Sequence, residues 1–511
     1  MWVAQTHRRM LKNHEAARIN PPTHTSASPN LDDLPRIIVI ANREPYIHEN
    51  MAGQTTVLRP ASGLVSALEP FLREHGGIWI AHGSGSADAN NSNRLSEVCG
   101  ELHVPPERPK YKLRRVWLTK EEEQGYYYGF ANEGLWPLCH LAHVQPRFRL
   151  NDWEHYKTVN RRFASCVPQN STDLILVQDY HFALLPRILR EQHSNPIALF
   201  WHIPWPHPEA FTICPWGKDL LFGMLGADVI GFHTQHHCEN FLQSCKLLVE
   251  ARINWDNSSV TFGGQETLVR VFPIGIDTTP IVVLNDEEKV SLRKRYKITA
   301  PQIAIGVDRI DYTKGLPERL DAIERFFEKN PDHIGQTSYV EMASPSRSSI
   351  PAYQNLLTEI QTKIRRINTR FTSPAGNRSK DPEYLPIVFH SGHFEWDEVQ
   401  RFYQLGDVCM VTSLHDGMNL VAKEYVWCQR PDKGCLILSQ FTGAAQELSE
   451  SLLINPYATE HLADTLARAF KMPEDERAQR MVSMKEKIHR SNAHHWAKKM
   501  IETLLKTLHQ A

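Results

Sequence analysis

The feature that most limits the fold of this chain is an alternation of short apolar runs with longer periodic segments, repeated in two successive sets. The first set is RIIVIA (36–41), IWIA (78–81), LILVQ (174–178), IALFWHI (197–203), DVIGFH (228–233) and LVRVFPI (268–274). The second is IAIGV (303–307), SYVEMA (338–343), PIVFH (386–390), VCMVTS (408–413) and CLILS (435–439). Continuous apolar runs of strand length, spaced by helix-length segments, are the pattern of mostly parallel sheets covered by helices. A chain of 511 residues is also too long for one ordinary core. The expected class is therefore α/β, with two Rossmann-like domains facing a cleft.

Between the sets, GIDTTPIVVLNDEEKV combines a turn signal with an acidic helix start, which places the boundary near residue 277. The expected domains are 34–277 and 278–490, followed by a helix over 491–511 that starts after Ser491-Asn492. That helix carries Trp496, Met500, Ile501, Leu504, Leu505 and Leu508 at helical spacing and needs a surface to cover. Residues 1–33 are rich in Pro, Ser, Thr and Asn towards their end and show no period, so they read as a mobile tail.

Composition narrows the function. With 57 basic against 58 acidic residues, the net charge is -1; nothing electrostatic points to nucleic acid or an anionic membrane, and any phosphate site must be local. The 9 cysteines include no CxxC pair, which fits free thiols in a reducing, cytoplasmic compartment. No apolar run approaches the roughly 18 to 20 residues of a membrane span. The basic N-terminus lacks the apolar core of a secretory signal.

Chemistry concentrates where runs end. In VCMVTSLHDGMNLVAKEY (408–425) a strand passes through a glycine turn into a helix, the place where open α/β sheets bind ligands. The amides of Gly417, Met418, Asn419 and Leu420 become the donors of a helix N-terminus, suited to a pyrophosphate or a sugar hydroxyl. Asp416 precedes them and Glu424 follows two turns along, one carboxylate for sugar hydroxyls and one for a ribose. An N-capping Asp416 with a solvated Glu424 accounts for the same residues.

In IGVDRIDYTKGLPERL (305–320) a strand is followed by Arg309 and Lys314 at a helix start. Cations there oppose the helix dipole unless an anion is bound, and together they can clamp a diphosphate leaving group. In the first half, Arg43 follows a strand in ANREPY, and Ser62-Gly63 opens an amphipathic segment. Tyr127 and Trp136 in GYYYGFANEGLWP can wall a sugar, or pack a surface loop. Asp179 in LVQDYH and His202 in FWHIPWP end strands and can meet over the cleft, or be satisfied core residues. His233, His236, His237 and Cys238 lack a second ligand cluster, so no metal site is expected. GSGSADAN (83–90) matches no phosphate-loop pattern and reads as a flexible loop.

DGMNLVAKEY, DRIDYTKGLPER, QDYH, HIPWP and SRSSIPAY, in their order and spacing, resemble the trehalose-6-phosphate synthase family from about Arg36 to the final helix. The resemblance implies a retaining, metal-independent glucosyltransferase of the B-type fold, needing no cofactor, with its last helix crossing back onto the first domain. It implies transfer of glucose from a nucleotide sugar, with UDP-glucose expected, to glucose 6-phosphate. Arg309 and Lys314 are then assigned to the donor diphosphate, Asp416 to the donor glucose, Glu424 to the ribose and Phe394 to the base. The Ser62-Gly63 loop folds over the donor. Arg43, Tyr127, Trp136 and Arg347 hold the acceptor, with Asp179 and His202 at the reacting sugars. The implied partners are the two substrates and a separate phosphatase acting on the product, with homo-oligomerisation left open.

One position departs from the family pattern: His82, in IWIAHGSG, stands where a tryptophan is expected beside the acceptor, putting a titratable group in place of an apolar wall. A glucosylglycerol-phosphate synthase or a pseudo-glycosyltransferase with another phosphorylated acceptor is the alternative. Arg347 favours a hexose 6-phosphate. A non-catalytic sugar-phosphate sensor is the third reading, opposed by the retained Arg309, Lys314, Asp416 and Glu424.

Overall fold

A computed structural model describes residues 35–59, 63–141, 143–169, 172–372, 381–430 and 432–508. The tail reading of residues 1–33 and Ser62 lie outside the described residues. The first sheet has a parallel centre in the order Tyr111–Val116, Ile78–His82, Ile37–Ile40, Leu174–Gln178, Ile197–Phe200, Val229–Phe232, Gln265–Val271, extended by antiparallel strands at both edges. The chain builds outward from Ile37–Ile40 in one direction, then returns to build from its other side. Its topological switch therefore falls between Ile37–Ile40 and Leu174–Gln178, the crevice where such sheets receive ligands.

The second sheet repeats this logic with six strands, ordered Ile387–Ser391, Thr337–Ser344, Gln302–Arg309, Val408–Val411, Cys435–Ser439, Leu452–Ile454. Every neighbouring pair in it is parallel. Its switch falls between Gln302–Arg309 and Val408–Val411. The chain thus has two Rossmann-like α/β domains, and both switch points carry the motifs singled out above. The apolar runs form these strands because burial on both faces leaves no polar alternation to select; Ile38, Ile40, Val177, Ile305 and Leu438 are all completely buried.

Tyr111–Val116, parallel to Ile78–His82 and antiparallel to Cys99–Val104, is an interior strand that charge conceals in the sequence, since Lys112, Arg114 and Arg115 interrupt its apolar residues. Arg115 is nevertheless fully buried, because its guanidinium pairs with Glu44 and Asp88, each at 2.7 Å. The same pairing corrects the reading of 83–90 as a flexible loop. Asp88 is fully buried and accepts from the amides of Gly85 and His48 at 2.6 and 2.8 Å, so the segment is a structured brace around Arg115.

The last helix, Ala493–Leu508, lies against helix Gly63–His75 and two strands of the first sheet. Trp496 meets Phe200 edge-on at 5.1 Å. The chain crosses between the domains twice, and the crossings touch: Ala493 N donates to Ile276 O at 2.9 Å. A Cβ on Gly275 would fall 2.1 Å from the Ser491 carbonyl oxygen, so only glycine permits this approach. Among the described residues no helix is long and apolar enough to cross a membrane.

Candidate functional site

At the first switch point, Asp179 follows strand Leu174–Gln178 with φ 77, a conformation that costs a non-glycine residue energy and that surrounding contacts must enforce. Its amide donates to Phe200 O at 2.7 Å, and its Oδ1 accepts from the amides of Tyr180 and His202 at 2.9 and 3.1 Å. Burial pushes the Asp179 carboxyl up to about 7. His202 Nε2 lies 2.9 Å from Gln178 Oε1, and burial pushes its imidazole down to about 3, which keeps it neutral. Strand ends thus bring Asp179 and His202 together.

At the second switch point the two strand-to-helix loops interlock. Leu414 N donates to Thr313 O at 2.8 Å. Gly315, at φ 64, lies where a Cβ would fall 2.3 Å from the Thr412 carbonyl oxygen. Lys314 Nζ then reaches Asp416 Oδ2 at 2.5 Å, and Asn419 Nδ2 and Ser413 Oγ donate to the same oxygen at 3.2 and 3.3 Å. Burial works against ionisation of Asp416, but Lys314 prevails and holds its carboxyl well below the ordinary range.

Helix Leu420–Cys428 is capped by Asn419, whose Oδ1 accepts from Ala422 N at 3.1 Å. The alternative of an N-capping Asp416 is thereby corrected: its carboxylate is committed to Lys314. Among the described residues the amides of Gly417, Met418, Asn419 and Leu420 donate no hydrogen bond, which leaves four donors at a helix N-terminus. Gly417 sits against the first domain, since a Cβ there would lie 2.2 Å from the His202 carbonyl oxygen. Gly63 sits against the same helix, its missing Cβ 2.4 Å from Leu420 Cδ1.

Glu424 is half-buried rather than solvated; Tyr403 Oη donates to its Oε2 at 2.8 Å, and burial pushes its carboxyl up to about 7. Phe394 is half-buried in the loop after strand Ile387–Ser391, the edge strand of the second sheet. No hydrogen bond or ring contact among the described residues joins Phe394 to Glu424.

Between the two switch points lies a knot of cations and aromatic rings. Arg347, at φ 46 after strand Thr337–Ser344, places its guanidinium 4.0 Å over the Trp136 ring. It donates to Asp311 Oδ2 at 3.1 Å, Tyr353 Oη at 2.5 Å and Tyr180 Oη at 3.4 Å. Its buried Nε has no hydrogen-bond partner among the described residues. Arg309 stands over the same ring at 5.5 Å and 3.9 Å from Asp311 Oδ2. The Tyr127 hydroxyl falls in the field of Arg347, Arg43 and Arg309; burial opposes its ionisation, yet the three cations hold its pKa below the ordinary value. Three arginines from both domains thus set a positive field at one hydroxyl, which can attract an anion.

Trp136 is a buried plate beneath two guanidinium groups, only 6% exposed. GYYYGFANEGLWP is no surface loop: Gln124–Leu135 is a wide helix with i→i+5 bonding, a form that recurs at functional sites. Gly125, Gly129 and Gly134 let it sink against His155, Asp152 and Phe148, each closer than 3.0 Å to where a Cβ would be. His82 is buried at the end of strand Ile78–His82, its Nδ1 3.2 Å from Val116 O. No polar contact among the described residues joins His82 to Arg43, Tyr127, Trp136 or Arg347. His233, His237 and Cys238 are buried at the start of helix Gln235–Leu248, whose N-cap Thr234 accepts from His237 N.

Sequence reasoning missed Asp311, Tyr353, Tyr180 and Gln178. Asp311 left a signal, a carboxylate between two cations in DRIDYTK. The tyrosines left none, because only the fold turns their hydroxyls inward.

A family model described as glycosyltransferase family 20 matches residues 35–506. The chain is 33% identical over 480 residues to alpha,alpha-trehalose-phosphate synthase (UDP-forming) A of Dictyostelium discoideum, spanning 92% of this chain and 62% of that protein. A solved structure described as trehalose-6-phosphate from E. coli, bound with UDP-2-fluoro glucose, superposes with a TM-score of 0.79 at 30% identity, covering 92% of this chain and 98% of that one. Another, of a Burkholderia xenovorans alpha,alpha-trehalose-phosphate synthase (UDP-forming) in complex with glucose-6-phosphate, has a TM-score of 0.77 at 28% identity, covering 92% and 100%.

Proposed function

Given that this chain belongs to glycosyltransferase family 20, we propose that it transfers glucose from UDP-glucose to glucose 6-phosphate, giving trehalose 6-phosphate and UDP. The observation that supports the reading is two neighbouring groups of cations and donors, with Arg309 of one and Arg347 of the other over the same Trp136 ring. Arg309, Lys314 and the amides of 417–420 suit a diphosphate, and Arg43, Tyr127 and Arg347 suit a sugar phosphate. Asp179 and His202 stand together at strand ends of the first domain, where the two sugars would meet.

As the glycosidic bond breaks, charge grows on the diphosphate, and donors already in place stabilise it without reorganising. Arg309 and Lys314 supply charge, and the helix amides supply neutral donors. Asp416 holds Lys314 in position while its second oxygen takes a sugar hydroxyl. A neutral His202 can donate to or accept from a sugar without adding charge. Retention then follows a same-face displacement, in which the acceptor hydroxyl approaches the face the diphosphate leaves, and the departing phosphate oxygen takes its proton.

The test is release of nucleotide diphosphate with each nucleotide glucose against glucose 6-phosphate, glycerol 3-phosphate and a no-acceptor blank. Release with UDP-glucose and glucose 6-phosphate alone is expected. Release with glycerol 3-phosphate instead would mean that His82 marks a reshaped acceptor pocket, and binding of both substrates without release would point to a sensor.

Glu424 adds a pH dependence of stated sign. Its folded pKa is raised, so its contribution to stability is present at acid pH and lost as pH rises through about 7. Ribose hydroxyls donate to the ionised form, so binding of the donor draws the proton off. The KM for UDP-glucose is expected to fall as pH rises through about 7, and the slope should vanish in Glu424→Gln. A slope that persists there belongs to another group, Asp179 first.

A further inference from the structure

We propose that Asp311 is a positioning residue that couples the two anion sites as the shared counter-ion of Arg347 and Arg309, a role that rests on the glucosyl-transfer reading above. It is fully buried in the turn after strand Gln302–Arg309, and its two oxygens divide the site between them. Oδ2 accepts from Arg347 Nη1 at 3.1 Å and faces Arg309 Nη2 at 3.9 Å. Oδ1 accepts from Thr313 N and Oγ1 at 3.1 and 3.0 Å and from Trp136 Nε1 at 3.4 Å. One carboxylate therefore touches the acceptor-side arginine, faces the donor-side arginine and anchors the tryptophan, brought from the other domain, on which both guanidinium groups rest.

Two guanidinium groups over one ring repel each other; Tyr353 and Tyr180 also hold Arg347, but the more exposed Arg309 would swing towards solvent if nothing lay between them. The carboxylate offsets that repulsion and aims both cations. It also lowers the positive charge that either anion meets. Replacing it with a neutral isostere should then move binding and turnover in opposite directions: anions bind more tightly to a more positive pocket, while misaimed arginines stabilise the transition state less. A carboxylate that only fills the core would lower both with the melting temperature.

The experiment uses the full chain carrying Asp311→Asn, with kcat from UDP release and affinities for UDP and for inorganic phosphate from calorimetry. The expected result is a kcat lower by about tenfold or more with both anions bound severalfold more tightly. A folded variant with unchanged kcat, or with anion binding unchanged or weakened, would overturn the proposal. Should Asp311→Asn fail to fold, Thr313→Val removes one donor to the carboxylate and keeps its charge. A fall in kcat with little change in substrate KM is expected there, and an unchanged kcat would count against the coupling. Calorimetry of phosphate and UDP needs no turnover, so a wild-type chain that fails to make trehalose 6-phosphate sinks the functional reading separately.

Discussion

Arg309→Ala is expected to lower kcat by roughly 10²- to 10³-fold, a loss of about 3 to 4 kcal/mol of transition-state stabilisation, as removal of one preorganised donor typically does. The size follows from what the side chain does. Its side chain is 38% exposed, and its one ion pair among the described residues, to Asp311 at 3.9 Å, is long. Such a contact adds roughly 0 to 1 kcal/mol to folding, so the melting temperature should barely move while turnover collapses. That contrast is the measurement: steady-state kinetics beside thermal denaturation. Turnover near the wild-type value in Arg309→Ala would place the diphosphate elsewhere. Arg309→Lys should recover part of the loss through charge, but not the part that depends on a planar fork.

The second large effect is expected at Arg347. Truncating one partner of a buried charge pair usually costs about 2 to 5 kcal/mol in binding, so Arg347→Ala should lower kcat/KM for glucose 6-phosphate by roughly a hundredfold or more, chiefly through KM. UDP affinity should fall far less, because Arg309 and Lys314 remain, although Asp311, no longer paired with Arg347, then offsets more of the charge the diphosphate meets. Unlike Arg309, Arg347 is deeply placed, its side chain 5% exposed, and bonded to Asp311, Tyr353 and Tyr180. Its loss leaves Asp311 with fewer partners, so a drop in melting temperature should accompany the kinetic defect. Arg309 and the Thr313 and Trp136 hydrogen bonds keep that drop below the cost of an orphaned buried charge. An equal loss of UDP affinity would show that Arg347 serves the donor as directly as the acceptor.

How far these residues were visible beforehand depends on what each relies upon. Arg309, Lys314, Asp416 and the amides of 417–420 sit within a few positions of a strand end, so local order alone brings them to one loop pair. Arg347 and Trp136 are far apart in sequence, and no spacing predicts that one stacks on the other at 4.0 Å. Tyr111–Val116 escaped because a buried strand normally lacks arginine, and only the partners Glu44 and Asp88 make Arg115 tolerable there. The wide helix Gln124–Leu135 escaped because its turn matches neither the helical nor the strand period, and its three glycines answer to side chains from elsewhere.

By itself the sequence determined the two layered α/β domains, since continuous apolar runs of strand length can be satisfied only between helices, and it placed charged motifs at the ends of those runs. Tertiary structure alone decided that the two switch points face each other, that Asp311 stands between Arg347 and Arg309, and that Asn419 rather than Asp416 caps the donor helix. Strand formation depends on local burial preference, which a chain carries residue by residue. Pairing of charges across domains depends on distances of a few ångströms between segments far apart in the chain, and those distances exist only once both sheets have packed.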